Sequence, residues 1–273
     1  MKETDIRGRY TIDDLGRLYE VGEDLFPSVS TVLDMRDTPE QLKQWKQRQN
    51  NYDAKMSFYQ NRGTLIHAKC QEDIIPRNKE TGEPVKEIWG KDERLSEKEL
   101  KENGKYEEFE TNMEWINTAW PIIKKVLNLP PNPDAQDDDS YNEVLDIETY
   151  VANKNIGYAG QFDILYHDDE TNETVLADLK TAKSTYEKFQ LQLAAYKMAL
   201  PMVIDRMEVI RMNPDNRDWY ISTSDEWERS TEDLQDEFID LRTQLERQKL
   251  KTIVETIKDV DKEDDDVLYE TMD

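Results

Sequence analysis

The chain holds a single cysteine, Cys70, so no disulfide can close within it, and neither a cysteine-ligated zinc nor a four-cysteine iron–sulfur cluster can form. It lacks any apolar run of membrane-spanning length. Its first residues, MKETDIRGRYTIDD, carry acids where a secretory or mitochondrial leader would not, so a soluble, unprocessed, cytoplasmic protein is the expectation. There is no glycine-rich phosphate loop with its lysine, which argues against ATP hydrolysis and helicase activity. Positive charge is also in deficit. Against 61 Asp and Glu stand 36 Lys and Arg, a net charge of −25, which at face value opposes binding to a polyanion. The deficit is uneven, however. Between residues 41 and 71 the cations Lys43, Lys46, Lys55, Lys69, Arg48 and Arg62 face Asp53 alone, whereas residues 254–273 carry nine acids against two lysines. A local basic surface on an acidic body is the reading, with Lys43, Lys46, Arg48, Arg62 and Lys69 as its candidate contacts to an anionic partner.

What is present concentrates between Gly157 and Leu200. Gly160-Gln-Phe-Asp163 opens an apolar run, Ile164 to Tyr166, a turn-rich HDDETNET follows, and a second run spans Val175 to Lys180. This is a β-hairpin pattern. Side chains two apart on a strand share a face, so Asp178 and Lys180 project together, and the hairpin register can bring Asp163 beside them. Two acids and an ammonium suit phosphodiester cleavage: hard oxygen ligands hold a divalent cation, and a nearby lysine orients water and offsets developing charge. Ser184 and Glu187 have capping-box spacing, predicting a helix to Leu200 on which Gln192 and Tyr196 share a face. An amide and a phenol there can bind a phosphate or hold the lysine.

The ordered set Gly160-x-x-Asp163, Asp178-x-Lys180-Thr181 and Gln192-x-x-x-Tyr196 resembles the PD-(D/E)XK nuclease superfamily in its RecB-like branch, and within it the mitochondrial genome maintenance exonuclease group and its phage-encoded counterparts. A D-x-K tripeptide alone, in a chain with 36% charged residues, is usually a solvated strand edge; the series carries the likeness. The resemblance implies a restriction-endonuclease-like α/β fold, a mixed central sheet flanked by helices with an N-terminal helical arm. It also implies DNA hydrolysis supported by Mg²⁺ or Mn²⁺. His67, judged alone beside the apolar line Ile66, Cys70 and Ile74, is a packed core histidine; Gly63-Thr64-x-x-His67 matches a helix that supplies a metal ligand in these nucleases. With Asp163, Asp178 and the Leu179 carbonyl it completes the implied ligand set, and an imidazole favours manganese. Glu148, fifteen residues before Asp163, matches an acid that helps order metal or water from outside the ligand set, and reads equally well as a strand-edge glutamate. Several relatives carry a cysteine-held cluster that this chain cannot build.

Along the rest of the chain, residues 1–25 read as a polar lead-in, and Phe26 to Leu33 as an extended stretch turning into a helix. Thr38-Pro39 predicts a helix start running towards Tyr59, with a separate helix from Thr64 to about Ile75 after Asn61-Arg-Gly63. Residues 76–105 are a charged insertion, and Tyr106 to Leu129 has helical spacing ended by Leu129-Pro-Pro. The acids at 137–139 lack the glycine and closing glutamate of an EF-hand and read as linker. Tyr141 to Val151 alternates as a strand, with Ile147, Thr149 and Val151 on one face. His167 falls in the hairpin turn. Strand-like runs follow at 203–210 and 219–221, and Leu234, Phe238, Leu241 and Leu245 stripe an amphipathic helix.

The organisation expected is one nuclease domain over 1–273: a helical arm at 26–130, a catalytic sheet and motif helix at 141–222, a C-terminal helix at 223–251 and an acidic tail at 252–273. The expected substrate is DNA, single-stranded ends above all, since no base-reading module is evident and Trp45, Tyr52, Phe58 and Tyr59 are interleaved with the basic residues. Recombination or replication proteins are the expected partners, in a bacterial or phage-infected cell. Two rival classes are a catalytically silent DNA-end or recombinase binder on the same fold, and an acidic DNA mimic.

Overall fold

The computed structural model describes residues 6–12, 16–36, 52–75, 81, 105–131, 140–216 and 218–249. The helix start at Thr38, the insertion apart from residues 81 and 105, the acids at 137–139 and the acidic tail lie outside them. Among the described residues no helix is long and apolar enough to cross a membrane.

The N-terminal residues form an antiparallel sheet, β1 (Ile6–Ile12), β2 (Gly16–Val21) and β3 (Asp24–Pro27), not a polar lead-in. A two-residue loop joins β2 to β3, and Gly22 at its first position takes φ +66°, as such hairpin loops demand. Ser28 then caps α1 (Val29–Leu33), its hydroxyl accepting from Thr31 N.

Helix α2 (Tyr52–Ile74) is continuous, so the break expected at Asn61-Arg-Gly63 does not occur. A helical glycine costs about 1 kcal/mol relative to alanine, and packing of α2 on the sheet and on the next helix outweighs it. That helix, α3 (Tyr106–Val126), buries Trp115, Ile116, Ala119, Trp120 and Ile123 along one stripe, with acids in its first turn and lysines in its last, matching the helix dipole.

The central sheet runs β4 (Glu143–Asn153), β5 (Tyr158–Asp168), β6 (Glu173–Thr181), β7 (Arg206–Met212) and β8 (Trp219–Thr223) in that spatial order, antiparallel except for the parallel β6–β7 pair. The parallel pair is connected through α4 (Glu187–Ala199). One face packs on α1, α4 and the helix at 231–249, α5, through Phe162, Leu165, Leu176, Leu191, Leu234 and Phe238; the other packs on α2 and α3 through Ile164, Val175, Ala177, Ile66 and Trp120. The protein is therefore a three-layer α/β fold with a mixed sheet. His167 lies within β5, paired with Glu143 and Thr174, rather than in the turn.

Two local expectations are corrected. Ser184 does not cap α4; Tyr186 holds that position without a side-chain bond, because Glu187 is engaged by Arg36 and Arg229 and cannot complete a capping box. On β4, Ile147 and Val151 do not share a face: Ile147 joins the α2–α3 core and Val151 the α4 core. The cause is Glu148, whose φ of +45° breaks the two-residue alternation between them. The β5–β6 ladder stops beside this kink, at Ile164↔Ala177.

Gly160, on β5, shows why a motif glycine stands there: an added Cβ would come within 2.5 Å of Tyr196 Cε1 and 3.1 Å of Val29 Cγ2. At Gly63 it would meet only Thr181 Oγ1, at 3.7 Å. The two glycines should respond with opposite sign. Gly160→Ala is expected to destabilise by about 1–3 kcal/mol through overpacking, and Gly63→Ala to stabilise by about 0.5–1 kcal/mol through helix propensity. Urea denaturation of both variants reads the two signs, and equal effects would contradict the packing described.

Candidate functional site

The kink in β4 and the end of the β5–β6 ladder bring three donor groups together. His67, from the middle of α2, places Nδ1 2.7 Å from Glu148 Oε1 and 3.5 Å from Asp163 Oδ1. Asp163 lies opposite Glu148 on β5, and its Oδ2 accepts the Leu179 backbone N–H at 2.6 Å, so the carboxylate occupies the gap where the β5–β6 ladder has ended. One atom from each of His67, Glu148 and Asp163 can be chosen so that all lie within 4.8 Å of one another.

Asp178 and Lys180 leave the same stretch of β6 on one face, as alternation requires. Lys180 Nζ lies 2.7 Å from Asp178 Oδ1 and 2.6 Å from Oδ2; it is a hydrogen bond to the first oxygen, while Oδ2 has the ammonium beside it without an aligned donor. Asp178 is completely buried. Phe189 of α4 sets its ring 5.4 Å from the ammonium, a cation–π contact that helps hold the lysine in place. Further along α4, Gln192 Nε2 donates to the Tyr196 hydroxyl at 3.0 Å, the (i, i+4) pair expected of that face.

The electrostatics follow from burying several charges in one place. Burial opposes charge on the His67 ring, but the Asp163 and Glu148 carboxylates outweigh it and raise the imidazole to about 9. Burial lifts the Asp178 carboxyl to about 7 against the pull of Lys180. Asp163 is raised as well, by burial first, with His67 pulling it down. Lys180 is held up by Asp178 and Asp163 against its own burial, and remains an ammonium.

His67, Glu148, Asp163, Lys180, Gln192 and Tyr196 line one cavity of about 460 Å³. Glu148 is thus bonded directly to His67 rather than standing apart from the donor group, while Asp178 is engaged by the lysine. The proposed basic surface fares differently. Arg62 is 5% exposed: Nε donates to Asn112 Oδ1, Nη1 donates to the Pro214 carbonyl, and the guanidinium stacks on Phe58 and Trp115. It is a strut between α2, α3 and the β7–β8 connection and presents nothing to a ligand. Lys69 pairs with Asp73 at 2.7 Å. Lys43, Lys46 and Arg48 lie outside the described residues.

Sequence reasoning missed Arg9, Arg17, Tyr19 and Gln71, which line the same cavity. Gln71 was within reach, one helical turn after His67. The others belong to the N-terminal sheet, for which the strand-forming Tyr10, Ile12, Leu18, Tyr19 and Val21 on either side of Gly16 were the available signal.

The His67, Glu148 and Asp163 donors could hold a metal cation, which would relieve the raised Asp163 carboxyl and the imidazole by displacing protons. No protein-family model matches the chain, and no curated protein matches it. Among solved structures the chain is similar to one described as the crystal structure of SSO0001, at 13% identity over 54% of this chain and 68% of that one, with a TM-score of 0.27. A likeness of that size bears on neither fold nor activity.

The proton affinities have a sign that can be measured. Asp178 and His67 both bind protons more tightly folded than unfolded, so each contributes stability at low pH that is lost as pH rises, Asp178 between 3.8 and about 7 and His67 between 6.5 and about 9. Metal-free protein should therefore lose thermal stability from mildly acidic pH towards pH 9, and the stabilisation by added Mn²⁺ should grow over the same interval. Differential scanning calorimetry with and without Mn²⁺ tests this; a flat melting temperature with a pH-independent Mn²⁺ shift would contradict the charge state assigned to the site.

Proposed function

We propose that this chain is a metal-dependent deoxyribonuclease of the PD-(D/E)XK type, RecB-like branch, acting as an exonuclease on single-stranded DNA ends. The observation that carries the reading is the junction of two units in one place: the His67–Glu148–Asp163 donor group and, on the adjacent strand, the buried Asp178–Lys180 pair. A solvated strand edge would have no reason to bury an acid completely and hold an ammonium against it.

Mg²⁺ or Mn²⁺ held by His67, Glu148 and Asp163, with Asp178 beside them, would supply an acidified water and counter-charge for the phosphate. The chain's own groups do the rest. Asp178 fixes the ammonium of Lys180 at the cavity wall, where its protons can orient the attacking water and meet the charge that develops on the phosphate oxygens. The water gives up one proton to solvent as its oxygen bonds phosphorus, the P–O ester bond breaks, and the leaving oxygen takes up a proton from solvent. Tyr196, bonded by Gln192, closes the cavity wall on the α4 side, and Phe189 lies over the ammonium of Lys180. Glu148 and Asp163 hold the His67 ring in one orientation.

The preference for single strands rests on the size of the cavity, about 460 Å³, which is in the range of a pocket for a small ligand or a short piece of one strand, and on an acidic body that repels a flat duplex.

Asp163→Ala, Asp178→Ala and Lys180→Ala are each expected to reduce cleavage by at least 10³-fold with circular dichroism unchanged. The substrates are linear single strands labelled at either end, linear duplex, and a closed single-stranded circle, each with Mg²⁺ or Mn²⁺. Parental rates in the Asp178 and Lys180 variants would overturn the active-site assignment. Rapid cutting of the circle would overturn the exonuclease reading, and the label released first gives polarity. Metal-independent DNA affinity without turnover would favour a silent binder, and the absence of both a DNA mimic.

A further inference from the structure

The cavity has a second wall that the proposed chemistry does not use. It is made by the N-terminal sheet. Arg9 on β1 pairs directly with Tyr19 on β2, and Arg17 lies two residues before Tyr19, so the three side chains share one face of the sheet. All three line the cavity that contains His67, Glu148 and Asp163. Tyr19 is buried against Tyr150 of β4, with ring centroids 5.6 Å apart, which seats this face on the central sheet. Arg17 is fixed through its backbone: its N–H donates to Thr31 Oγ1, and its carbonyl accepts from Ser28 N and Thr31 Oγ1. The two arginine side chains themselves are exposed. Gln71 of α2, which also lines the cavity, is 4% exposed, and its Oε1 has no hydrogen-bond partner. A buried amide oxygen left without a partner is destabilising unless something arrives to bond it. In the cavity lining the N-terminal sheet contributes Arg9, Arg17 and Tyr19 and no acid, while Glu148 and Asp163 come from β4 and β5, so this wall is cationic in a chain of net charge −25.

We propose that Arg9, Arg17 and Gln71 form an anion subsite for a second phosphate of the substrate strand, neighbouring the one placed at His67, Glu148 and Asp163. The inference rests on the nuclease reading for the identity of the strand, but the anion subsite stands on its own geometry. Guanidinium groups present paired donors to phosphate oxygens, and a backbone pinned to the cap of α1 keeps Arg17 in place before a ligand arrives. Gln71 Oε1 contributes an acceptor that a bridging water completes, donating one proton to it and the other to a phosphate oxygen. Such a subsite makes the enzyme read a run of phosphates on one strand: a substrate with one phosphodiester fills only the chemical half of the cavity, and an oligonucleotide fills both.

The test uses two substrates, thymidine 5′-(p-nitrophenyl phosphate), with a single phosphodiester, and the oligonucleotide (dT)₆. The variants are Arg9→Gln, Arg17→Gln, their combination, and Gln71→Leu. For the double variant, the ratio of kcat/KM for (dT)₆ to that for the one-phosphate ester is expected to fall at least tenfold, mainly through KM for (dT)₆. Arg17→Lys should recover part of it. A second readout needs no turnover: fluorescence anisotropy of end-labelled (dT)₆ in EDTA, where the slope of log affinity against log salt should lose about 0.7 for each arginine removed. Gln71→Leu is expected to weaken (dT)₆ binding at an unchanged or higher melting temperature, because it deletes an unpartnered amide.

An unchanged ratio and an unchanged salt slope in the folded double variant, with wild-type protein cleaving both substrates, would overturn the subsite and leave the nuclease reading standing. Wild-type protein that cleaves neither substrate yet binds (dT)₆ with an arginine-dependent salt slope would do the reverse. A lower melting temperature with unchanged (dT)₆ binding in Gln71→Leu would remove Gln71 from the subsite.

Discussion

The site depends on one interruption of a hydrogen-bonded sheet. At Glu148 the chain takes a left-handed backbone conformation, φ +45°, that costs a residue with a Cβ about 1–3 kcal/mol. Opposite it, the β5–β6 ladder has run out, and the Asp163 carboxylate takes the Leu179 N–H. That single bond satisfies a backbone donor, anchors one oxygen of the acid, and leaves the other facing His67. Regular pleating would have sent Glu148 and the residues around it to other neighbours. The strain is held because both cores, packed on either face of the sheet, converge at this point.

A second charged cluster in the same sheet clarifies what is unusual about the first. Arg206 joins Asp168, Glu173 and Glu208, and Tyr166 donates to Glu208, so the end of the β5–β6 hairpin is tied to β7. Burial raises Asp168, yet Arg206 and Thr171 pull it below its ordinary range, so that acid is a committed carboxylate. This is a structural staple with its charges met. Burial raises Glu208 in that staple as it raises Asp163 and Asp178; what differs around His67 is that Asp178 Oδ2 lacks an aligned donor and Gln71 Oε1 has no partner. Equivalent side chains are satisfied in one place and left wanting in the other, and a cavity of about 460 Å³ opens beside the second.

The motif residues divide by role in a way their spacing alone would not assign. Asp178 is hydrogen-bonded to Lys180, and Glu148, from β4, is bonded to His67 beside Asp163. Gly160 exists for Tyr196, whose ring lies where a Cβ would be. Arg62 has the composition of a nucleic-acid contact and the environment of a core strut, stacked between aromatic rings and bonded to Asn112. Net charge over a window of sequence cannot distinguish a presented guanidinium from a buried one, because both satisfy the same count.

By itself the sequence determined the hairpin that carries Asp163, Asp178 and Lys180, the face of α4 that carries Gln192 and Tyr196, and the buried stripes of α3 and α5, because each depends on a local period of two or 3.6 residues. Period also placed His67 beside an apolar line on α2. Tertiary structure alone decided that Glu148 would break the pleat and bond His67, that Glu187 would be drawn to Arg36 and Arg229 instead of capping its own helix, that α2 would run through Gly63, and that the first strands would fold over the cavity with Arg9 and Arg17. Each of these joins residues far apart in the chain, and its free energy comes from packing and charge pairing that exist only once distant elements meet.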